Sequence, residues 1–514
     1  MKEINTSNKQ IGINMIANIV AYSSNLIVSF IITPFLINTI GKETYGFYPM
    51  ANSIVSYMSI LMNALNTMAS RFVTIALVKQ KMDDANKYFS SVLAANSILG
   101  CILIIPMIIF VTFIENFMNV PINSIAAIKM LFTLVFSSAL INVFAAVFGI
   151  ATFAKNRIDL RSFREIVTGI LRLVLFLVLY KFLKPSIVYV GVVAVVIAIV
   201  NTIFQVFYTK KLIPEITIHF SFISWRYIVE LLGSSIWNAI NSLGQSFLVG
   251  MTIILSNILY GASASGSCSI VQIIPNFISG VISMLVGVFF PMITYHYAKN
   301  DMINLVKDLK KTQKIIGCVS CATIVVFSVL AEDFYSLWTP LEDASMLSRL
   351  SLFMILPQIF VACFWELTNL NIVLNKVKIP ALITIITGGL NILTVVLIDK
   401  LMHPGVIIVP IISAILQIIW IGGFMPIYAC KNLNVKWFTF YPILCRAFIC
   451  TVPTIVIIKF FKQFIQINSW IKFILFGGVM GVLGLVIFSV GMLGFEQIKK
   501  YIKDFNKKIN IKQC

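Results

Sequence analysis

Charged residues are scarce in this sequence. Only 11% of its 514 residues are Asp, Glu, Lys or Arg, against about 25% in ordinary soluble domains. The mean hydropathy is +0.97 and 59% of the residues are hydrophobic, so a soluble chain of this length would lack the polar side chains needed to cover its surface. The composition excludes a soluble enzyme and a disordered tail protein. It also excludes a nucleic-acid-binding domain, so we expect no nucleic-acid partner.

Catalytic and metal-binding patterns are also missing. The three histidines, His219, His296 and His403, lie far apart in the sequence, and there is no phosphate-binding loop, zinc-protease motif or hydrolase serine motif. Cys318 and Cys321 form a CxxC pair inside an apolar run, without partner ligands nearby, and we interpret them as small apolar packing residues. We therefore expect no metal site, no catalytic residues and no enzymatic activity.

The sequence instead contains apolar runs along almost its whole length. About fourteen of them, between residues 11 and 494, reach or exceed the roughly 20 residues that a membrane-spanning helix needs, with short polar gaps between them. They predict an all-α integral membrane protein with about 14 transmembrane helices. The polar gaps are too short for a separate soluble domain.

The positive charges indicate the orientation of these helices. When the gaps are assigned alternately to the two sides, roughly three times as many Lys and Arg residues fall on the side of the N-terminus as on the other, as the positive-inside rule predicts for a cytoplasmic face. Both termini are then cytoplasmic, and the net charge of +20 mainly marks orientation. The basic C-terminal tail is predicted to contact anionic lipid.

A weak internal repeat divides the chain. Gly41 and Gly46 bracket one predicted outer turn, Gly261 and Gly266 bracket another 220 residues later, and the same offset brings Lys79 onto Lys299. We predict two six-helix lobes, 1–212 and 213–430, followed by two further helices and the tail in 431–514. Chance similarity between apolar helices is the alternative. Two lobes with a site between them are typical of alternating-access transporters.

Amide and hydroxyl side chains form stripes on predicted helices one, two, seven and eight. On each helix they fall on one face at steps of 100° per residue. Facing lipid would be costly for them, so they should face protein or a water-filled cleft. Hydrogen bonding between packed helices is the alternative for any single residue. The candidate cleft residues are Asn18, Asn25, Asn63, Asn66, Asn238, Asn241, Gln245, Gln272 and Asn276.

Few charges lie within the apolar runs. Arg71 lies near the predicted inner end of helix two and Arg172 lies in helix five. One interpretation is a cationic lining that attracts an anionic group such as a diphosphate, and the other is snorkelling of these side chains to the inner headgroups. Glu366 is the candidate intramembrane carboxylate, in predicted helix ten. The first six helices have no central carboxylate.

One segment resembles a known family. Residues 33–72, TPFLINTIGKETYGFYPMANSIVSYMSILMNALNTMASRF, are similar to the start of bacterial O-antigen and capsule repeat-unit flippases, which belong to the multidrug/oligosaccharidyl-lipid/polysaccharide exporter superfamily. The motif is PFLI-x3-G-x3-YG-x-Y followed by ALN-x-MASRF, and the predicted topology extends the resemblance over most of the chain.

The resemblance implies a protein of the bacterial cytoplasmic membrane that translocates an undecaprenyl-diphosphate-linked oligosaccharide through a cationic cleft. It places the family's basic residue of the second helix on Arg71, with Arg172 as a weaker candidate. It implies no bound cofactor, but coupling to a proton or sodium gradient, for which Glu366 is the candidate residue. The expected partners are the lipid-linked oligosaccharide, membrane lipids, and polysaccharide polymerase and chain-length proteins.

Three other hypotheses remain at this point. The first is a peptidoglycan lipid-precursor flippase of the same superfamily. The second is a cation-coupled drug antiporter, which the lack of a central carboxylate in the first six helices disfavours. The third is an integral-membrane glycosyltransferase or polymerase, which the short outer loops disfavour.

Overall fold

The structure is a computed structural model that describes residues 8–494. These residues are almost entirely helical and contain no β-strand, which confirms the predicted all-α integral membrane protein. The α-helices are α1 (Asn8–Ile40), α2 (Lys42–Tyr45), α3 (Phe47–Val78), α4 (Met82–Thr112), α5 (Ile114–Phe117), α6 (Ile125–Ala145), α7 (Ile150–Ala154), α8 (Ile158–Phe182), α9 (Val188–Leu212) and α10 (Trp225–Gln245). They continue with α11 (Met251–Ala298), α12 (Met302–Trp338), α13 (Ala344–Ile355), α14 (Pro357–Val373), α15 (Lys378–Met402), α16 (Ile408–Ile418), α17 (Met425–Asn432), α18 (Tyr441–Lys462) and α19 (Trp470–Leu493).

Twelve segments within residues 8–494 are long and apolar enough to cross a membrane. One of them, Ser235–Tyr297, has 63 residues, which at about 1.5 Å per residue is about three times the thickness of a bilayer core. Gly261, with φ 87°, breaks its helical geometry, so it supplies two crossings. Helix α8 is also long enough to span but has charged residues along its length. Together these two features account for the difference between twelve segments and about 14 predicted spans.

Five helices end in the same left-handed turn. Gln80, Asn156, Asn300, Asn375 and Asn434 have φ between 53° and 56°. At each turn the next N–H donates to the carbonyl five residues earlier, at 2.8–3.0 Å. This is the Schellman motif, which satisfies the last carbonyls of a helix. A Lys or Arg adjoins every one of these turns, where a cation is stabilised by the negative end of the helix.

The packing of the helices defines two compact units. Unit 1 comprises Met1–Ser269 and Thr384–Ile392, and unit 2 comprises Ile270–Ile383 and Leu393–Cys514. The predicted lobe boundaries, 1–212, 213–430 and 431–514, stay a prediction. The predicted basic tail lies outside the described residues.

Unit 1 is built around the packing of α3 and α4 against α7 and α10. Its core consists of buried apolar side chains, among them Leu65, Ala69, Val73, Phe89, Val92, Val147, Ile150 and Leu231. Helix α1 packs along α8, and α6 packs along α9. This core covers one side of α3. The helices of this cluster do not cover the opposite side of α3.

Unit 2 is built around α12. This helix packs against α13, α14, α18 and α19, and most of its residues from Gln313 to Trp338 are buried. Cys318 and Cys321 are among them and are free thiols. The Cys318 thiol lies 3.1 Å from the Ser489 hydroxyl on α19.

Candidate functional site

The exposed face of α3 is polar over most of the helix. Asn52, Ser56, Asn63, Thr67 and Arg71 are all exposed, and at 100° per residue they fall within a sector of about 100°. The core residues of α3 lie on the other side. Of the two candidate residues predicted on this helix, Asn63 lies on this exposed face and Asn66 is half-buried, and Thr67 is a further polar residue of the face. An exposed polar stripe on a spanning helix is stable when it borders water rather than lipid.

The polar groups of α3 differ in how they are satisfied. The hydroxyls of Ser56 and Thr67 donate to carbonyls of their own helix four residues earlier, which leaves little capacity for a ligand. No hydrogen bond or ion pair reaches the side chains of Asn52, Asn63 or Arg71 from the residues that the structure describes. These three side chains are the groups of the stripe that remain available to a ligand.

Asn66 has a different role from Asn63. Its amide exchanges two hydrogen bonds with Asn96 of α4, at 3.1 and 3.2 Å, and Asn96 is fully buried. It also donates to the carbonyl of Met62. This reciprocal pair joins α3 to α4, as the packing interpretation of the stripe predicts for single residues.

Asn66→Ala should therefore destabilise the protein, whereas Asn63→Ala should not. Removing the Asn66 amide leaves the buried Asn96 without its partner, which costs about 1–3 kcal/mol. We expect a lower melting temperature in detergent for Asn66→Ala and an unchanged one for the matched Asn63→Ala variant. Equal melting temperatures for the two variants would contradict the assignment of Asn66 to packing.

Helix α1 contributes one buried amide and two more accessible ones. Asn14 is buried and donates at 3.0 Å to both the carbonyl and the side-chain oxygen of Asn156, and its own oxygen accepts from the N–H of Asp159. Asn18 is exposed and Asn25 is half-buried. Asn25 lies beside Gly169 of α8, where an added Cβ would come within 3.2 Å of its Oδ1.

The N-terminal end of α1 is joined to the start of α8 through a carboxylate that sequence analysis did not single out. Arg157 and Asp159 lie 2.8 Å apart, and Gln10 donates to the same carboxylate. The sequence does contain a signal for this contact, because the acidic Asp159 follows shortly after the basic residues on either side of Asn156.

Helix α10 places its amides in several environments. Asn238 and Gln245 are half-buried, and no partner for Gln245 Nε2 is found among the described residues. Asn241 accepts a hydrogen bond from Thr384, at 3.0 Å.

The remaining candidate residues lie on α11 and α8. Gln272 and Asn276, on the part of α11 in unit 2, bond to each other at 3.1 Å. Arg172 is half-buried on α8, and no hydrogen bond or ion pair joins it to a described side chain.

Glu366 is enclosed in unit 2. It is 2% exposed, and neither carboxylate oxygen has a hydrogen-bond partner among the described residues. Gln313 on α12 is fully buried, and its amide atoms also lack partners there. An unpaired charge buried in this way would be very costly.

The contacts between α12 and α14 place Glu366 and Gln313 at the same level. Tyr335 bonds Ser351 of α13, the helix that leads into α14, and a Cβ on Gly317 would lie 3.8 Å from the sulfur of Cys363 on α14. The two helices are therefore antiparallel. One turn beyond Gly317 and Cys363 come Gln313 and Glu366, so the two unsatisfied groups belong to one region of unit 2.

Comparison with known proteins identifies a family and a fold. A family model described as "Polysaccharide biosynthesis protein" matches residues 11–296. The chain is 24% identical to an uncharacterised membrane protein of Bacillus subtilis, EpsK, over 96% of this chain and 98% of that protein.

Among solved structures, the lipid II flippase MurJ in an inward-closed conformation has a TM-score of 0.65 at 14% identity and covers 93% of this chain and 98% of that one. An inward-facing multidrug-resistance MATE transporter of the MOP superfamily has a TM-score of 0.61 at 12% identity, over 82% and 99%. These similarities show a shared fold.

Proposed function

Because the chain belongs to the polysaccharide biosynthesis protein family, we propose that it is a flippase for an undecaprenyl-diphosphate-linked oligosaccharide repeat unit. It is a multi-pass membrane transporter and not an enzyme. Its activity is to move the lipid-linked glycan from the inner to the outer leaflet of the bacterial cytoplasmic membrane by alternating access. The observation that supports this function most directly is the exposed polar face of α3, which ends at Arg71.

The chemistry of that face suits the two polar parts of such a substrate. Glycan hydroxyls both donate and accept hydrogen bonds, and the unpaired amides of Asn52 and Asn63 do the same. A diphosphate requires a cation, and a guanidinium binds it through two parallel N–H groups. Arg71 follows the amides on the same face, so a diphosphate at Arg71 would leave the sugars alongside them.

The orientation and partners of the protein follow from the same proposal. The lysine-rich helix ends face the cytoplasm, where the lipid-linked unit is made, and both termini lie on that side. The polymerase and chain-length proteins that use the flipped unit are the expected protein partners, together with membrane lipids.

The direct test is translocation of a defined lipid-linked oligosaccharide in proteoliposomes. Purified protein should expose a fluorescent undecaprenyl-diphosphate repeat unit to a probe on the opposite side, and liposomes without protein should not. The lipid-linked repeat unit, lipid II and a cationic drug are compared in parallel. Preferential movement of lipid II would identify a peptidoglycan-precursor flippase instead, and efflux of cationic drugs without glycan movement would identify an antiporter. Incorporation of sugar by the purified protein would make it a transferase.

We further propose that Glu366 couples transport to a proton or sodium gradient. A carboxyl in unit 2 that lacks a partner changes charge by binding one cation, which is what a coupling site requires. Glu366→Gln keeps the shape of the side chain but cannot bind a proton.

In proteoliposomes, translocation by Glu366→Gln should no longer respond to an imposed pH or sodium gradient, whereas wild-type translocation should change severalfold. The matched variant Glu332→Gln, at an exposed position of α12, should respond like the wild type. If Glu366→Gln keeps the gradient response, this carboxyl is not the coupling group.

A further inference from the structure

The segment between α9 and α10, residues 213–224, is tied to the side of α4, and we call it the linker. The buried Asn86 of α4 accepts a hydrogen bond from the backbone N–H of Thr217 at 3.1 Å and donates to its hydroxyl at 3.3 Å. The fully buried Ser91 accepts from the N–H of Ser224 at 3.0 Å. All of these residues belong to unit 1. The backbone of the linker is therefore fixed to α4 at its middle and at its end.

The linker carries large apolar side chains that are exposed. Phe220 is 93% exposed, and Trp225, at the start of α10, is 70% exposed. Ile218 and Ile223 are exposed as well. Apolar and aromatic side chains in such a row are stable at the level of the lipid headgroups. In the predicted orientation this level is the surface of the cytoplasmic leaflet.

Two cavities adjoin the linker and share the side chain of Ile218 as part of their walls. The first has a volume of about 410 Å³ and lies between the linker and α4, where its apolar lining includes Leu93, Ala94, Ile98, Phe220 and Ile223. The second has a volume of about 360 Å³, and its lining includes Phe89, Phe148, Val206 and Lys210. Both volumes lie within the range of roughly 300–1,000 Å³ that is usual for small-ligand sites.

Two serines that line the first cavity differ in how their hydroxyls are satisfied. Ser97 donates at 2.8 Å to the carbonyl of Leu93, one turn earlier in its own helix. Ser90 is 2% exposed, and its hydroxyl has no hydrogen-bond partner among the described residues. Buried hydroxyls are normally paired, and an unpaired one is costly. An oxygen atom of a ligand in this cavity would supply the missing partner.

The charge around the linker is positive. Residues 210–226 contain three basic side chains, Lys210, Lys211 and Arg226, and one acidic side chain, Glu215, which gives a net charge of +2. No hydrogen bond or ion pair joins Lys210, which lines the second cavity, to a described residue. A cation beside apolar cavities at the cytoplasmic surface attracts the phosphate of an anionic lipid.

We propose that the two cavities hold one anionic phospholipid of the cytoplasmic leaflet. One acyl chain lies in each cavity with Ile218 between them, an ester oxygen accepts a hydrogen bond from Ser90, and the phosphate pairs with Lys210. Two adjacent apolar cavities and one available cation match the two chains and the one phosphate of such a lipid. The bound lipid holds the linker to the membrane, while α4 holds it to the protein. The site does not depend on which substrate the protein transports.

The headgroup is tested on the full-length protein, purified in detergent and stripped of lipid. Native mass spectrometry during titration with dioleoyl phosphatidylglycerol should show one tightly bound lipid per chain, and dioleoyl phosphatidylcholine should bind at least tenfold more weakly. Lys210→Gln should remove this preference. The matched variant Lys184→Gln, at an exposed position beyond the other end of α8, should keep it. Equal binding of the two lipids by the wild type would overturn the proposal.

The first cavity is tested by filling it. Ala94→Phe places a ring in the space of one acyl chain and should weaken phosphatidylglycerol binding at least tenfold. Val229→Phe, at an exposed position of α10 outside the cavity, should bind like the wild type. If the two variants bind phosphatidylglycerol equally well, the lipid does not lie in this cavity.

The two serines give a second test that does not disturb the packing. Ser90→Ala should lower the affinity for phosphatidylglycerol severalfold, whereas Ser97→Ala should leave it unchanged, because only the Ser90 hydroxyl is available to the lipid. The lipid-free Ser90→Ala protein should melt no lower than the wild type, since its hydroxyl has no partner to lose. Equal affinities of the two variants would contradict the role of Ser90. Displacement of phosphatidylglycerol by an equimolar amount of undecaprenyl phosphate would show that the cavities take a polyprenyl chain instead, and the proposal would be wrong.

Discussion

Arg71→Ala is expected to lower translocation of the lipid-linked oligosaccharide by roughly 10- to 100-fold, because a hydrogen bond to a charged group contributes about 1.5–3 kcal/mol. Arg71 is exposed at the end of the polar face of α3 and has no protein partner among the described residues, so its removal disturbs no packing. The measurement is the rate of glycan exposure in proteoliposomes. Arg71→Lys should recover only part of the loss, since an ammonium cannot make two parallel bonds to a phosphate.

Arg446→Ala is the matched control for this prediction. Arg446 is also an exposed arginine within a spanning helix. It lies on α18 and not on α3, and its guanidinium donates at 3.4 Å to the carbonyl of Met492 on α19. It should translocate at close to the wild-type rate. If both variants are as active as the wild type, both arginines serve only to snorkel to the headgroups. If both lose activity equally, the effect is one of overall charge and not of a site on α3.

Gly388→Ala is expected to prevent stable folding or to lower the melting temperature by several degrees, whereas Gly389→Ala is expected to have no effect. A Cβ on Gly388 would lie 2.6 Å from the carbonyl oxygen of Gly244 and 2.8 Å from Cβ of Phe247, whereas a Cβ on Gly389 meets nothing within 4 Å. Overpacking of this kind costs about 1–3 kcal/mol. Small residues allow such close helix crossings in membranes.

The crossing at Gly388 has little freedom to move away. Thr384 bonds Asn241 on one side of it, and the buried Asn391 donates to the carbonyls of Phe247 and Leu248 on the other, at 3.2 and 3.1 Å. Thermal unfolding in detergent, followed by size-exclusion chromatography, separates the two variants. Equal melting temperatures for Gly388→Ala and Gly389→Ala would show that the helices can shift apart without loss of stability.

The general architecture could be predicted because composition and charge distribution are properties of whole segments. A run of apolar residues is a spanning helix almost regardless of its neighbours, and the polar stripe of α3 follows from helical periodicity alone. The individual role of each amide could not be predicted. Asn63 and Asn66 are three residues apart on one stripe, yet one is exposed and the other is paired with Asn96, which depends on where α4 lies.

The partners of polar residues were the hardest feature to predict from sequence. Thr384 and Asn391 share one face of α15 with Thr387, but their partners lie more than 140 residues away, so the sequence did not show what they bind. Asn119 is an ordinary loop residue in the sequence, yet its side-chain amide donates to the Asn257 carbonyl at 2.7 Å. By contrast, the two Gly-x4-Gly turns were visible in the sequence as a repeat, although nothing in it showed that Gly46 lies against Gly266.

The five left-handed turns described above have a consequence for the energised membrane. Each turn attaches a Lys or Arg to a rigid helix end, so the charge cannot move independently of the helix. In the proposed orientation, carrying one such charge outward against a membrane potential of 100 mV costs about 2.3 kcal/mol. The hairpin of α3 and α4 bears Lys79, Lys81 and Lys87 at its turn together with Asp83 and Asp84, a net charge of +1, so inverting it would require about 2.3 kcal/mol of electrical work. In the proposed orientation the membrane potential therefore opposes inversion of this hairpin, and this restraint is absent in detergent.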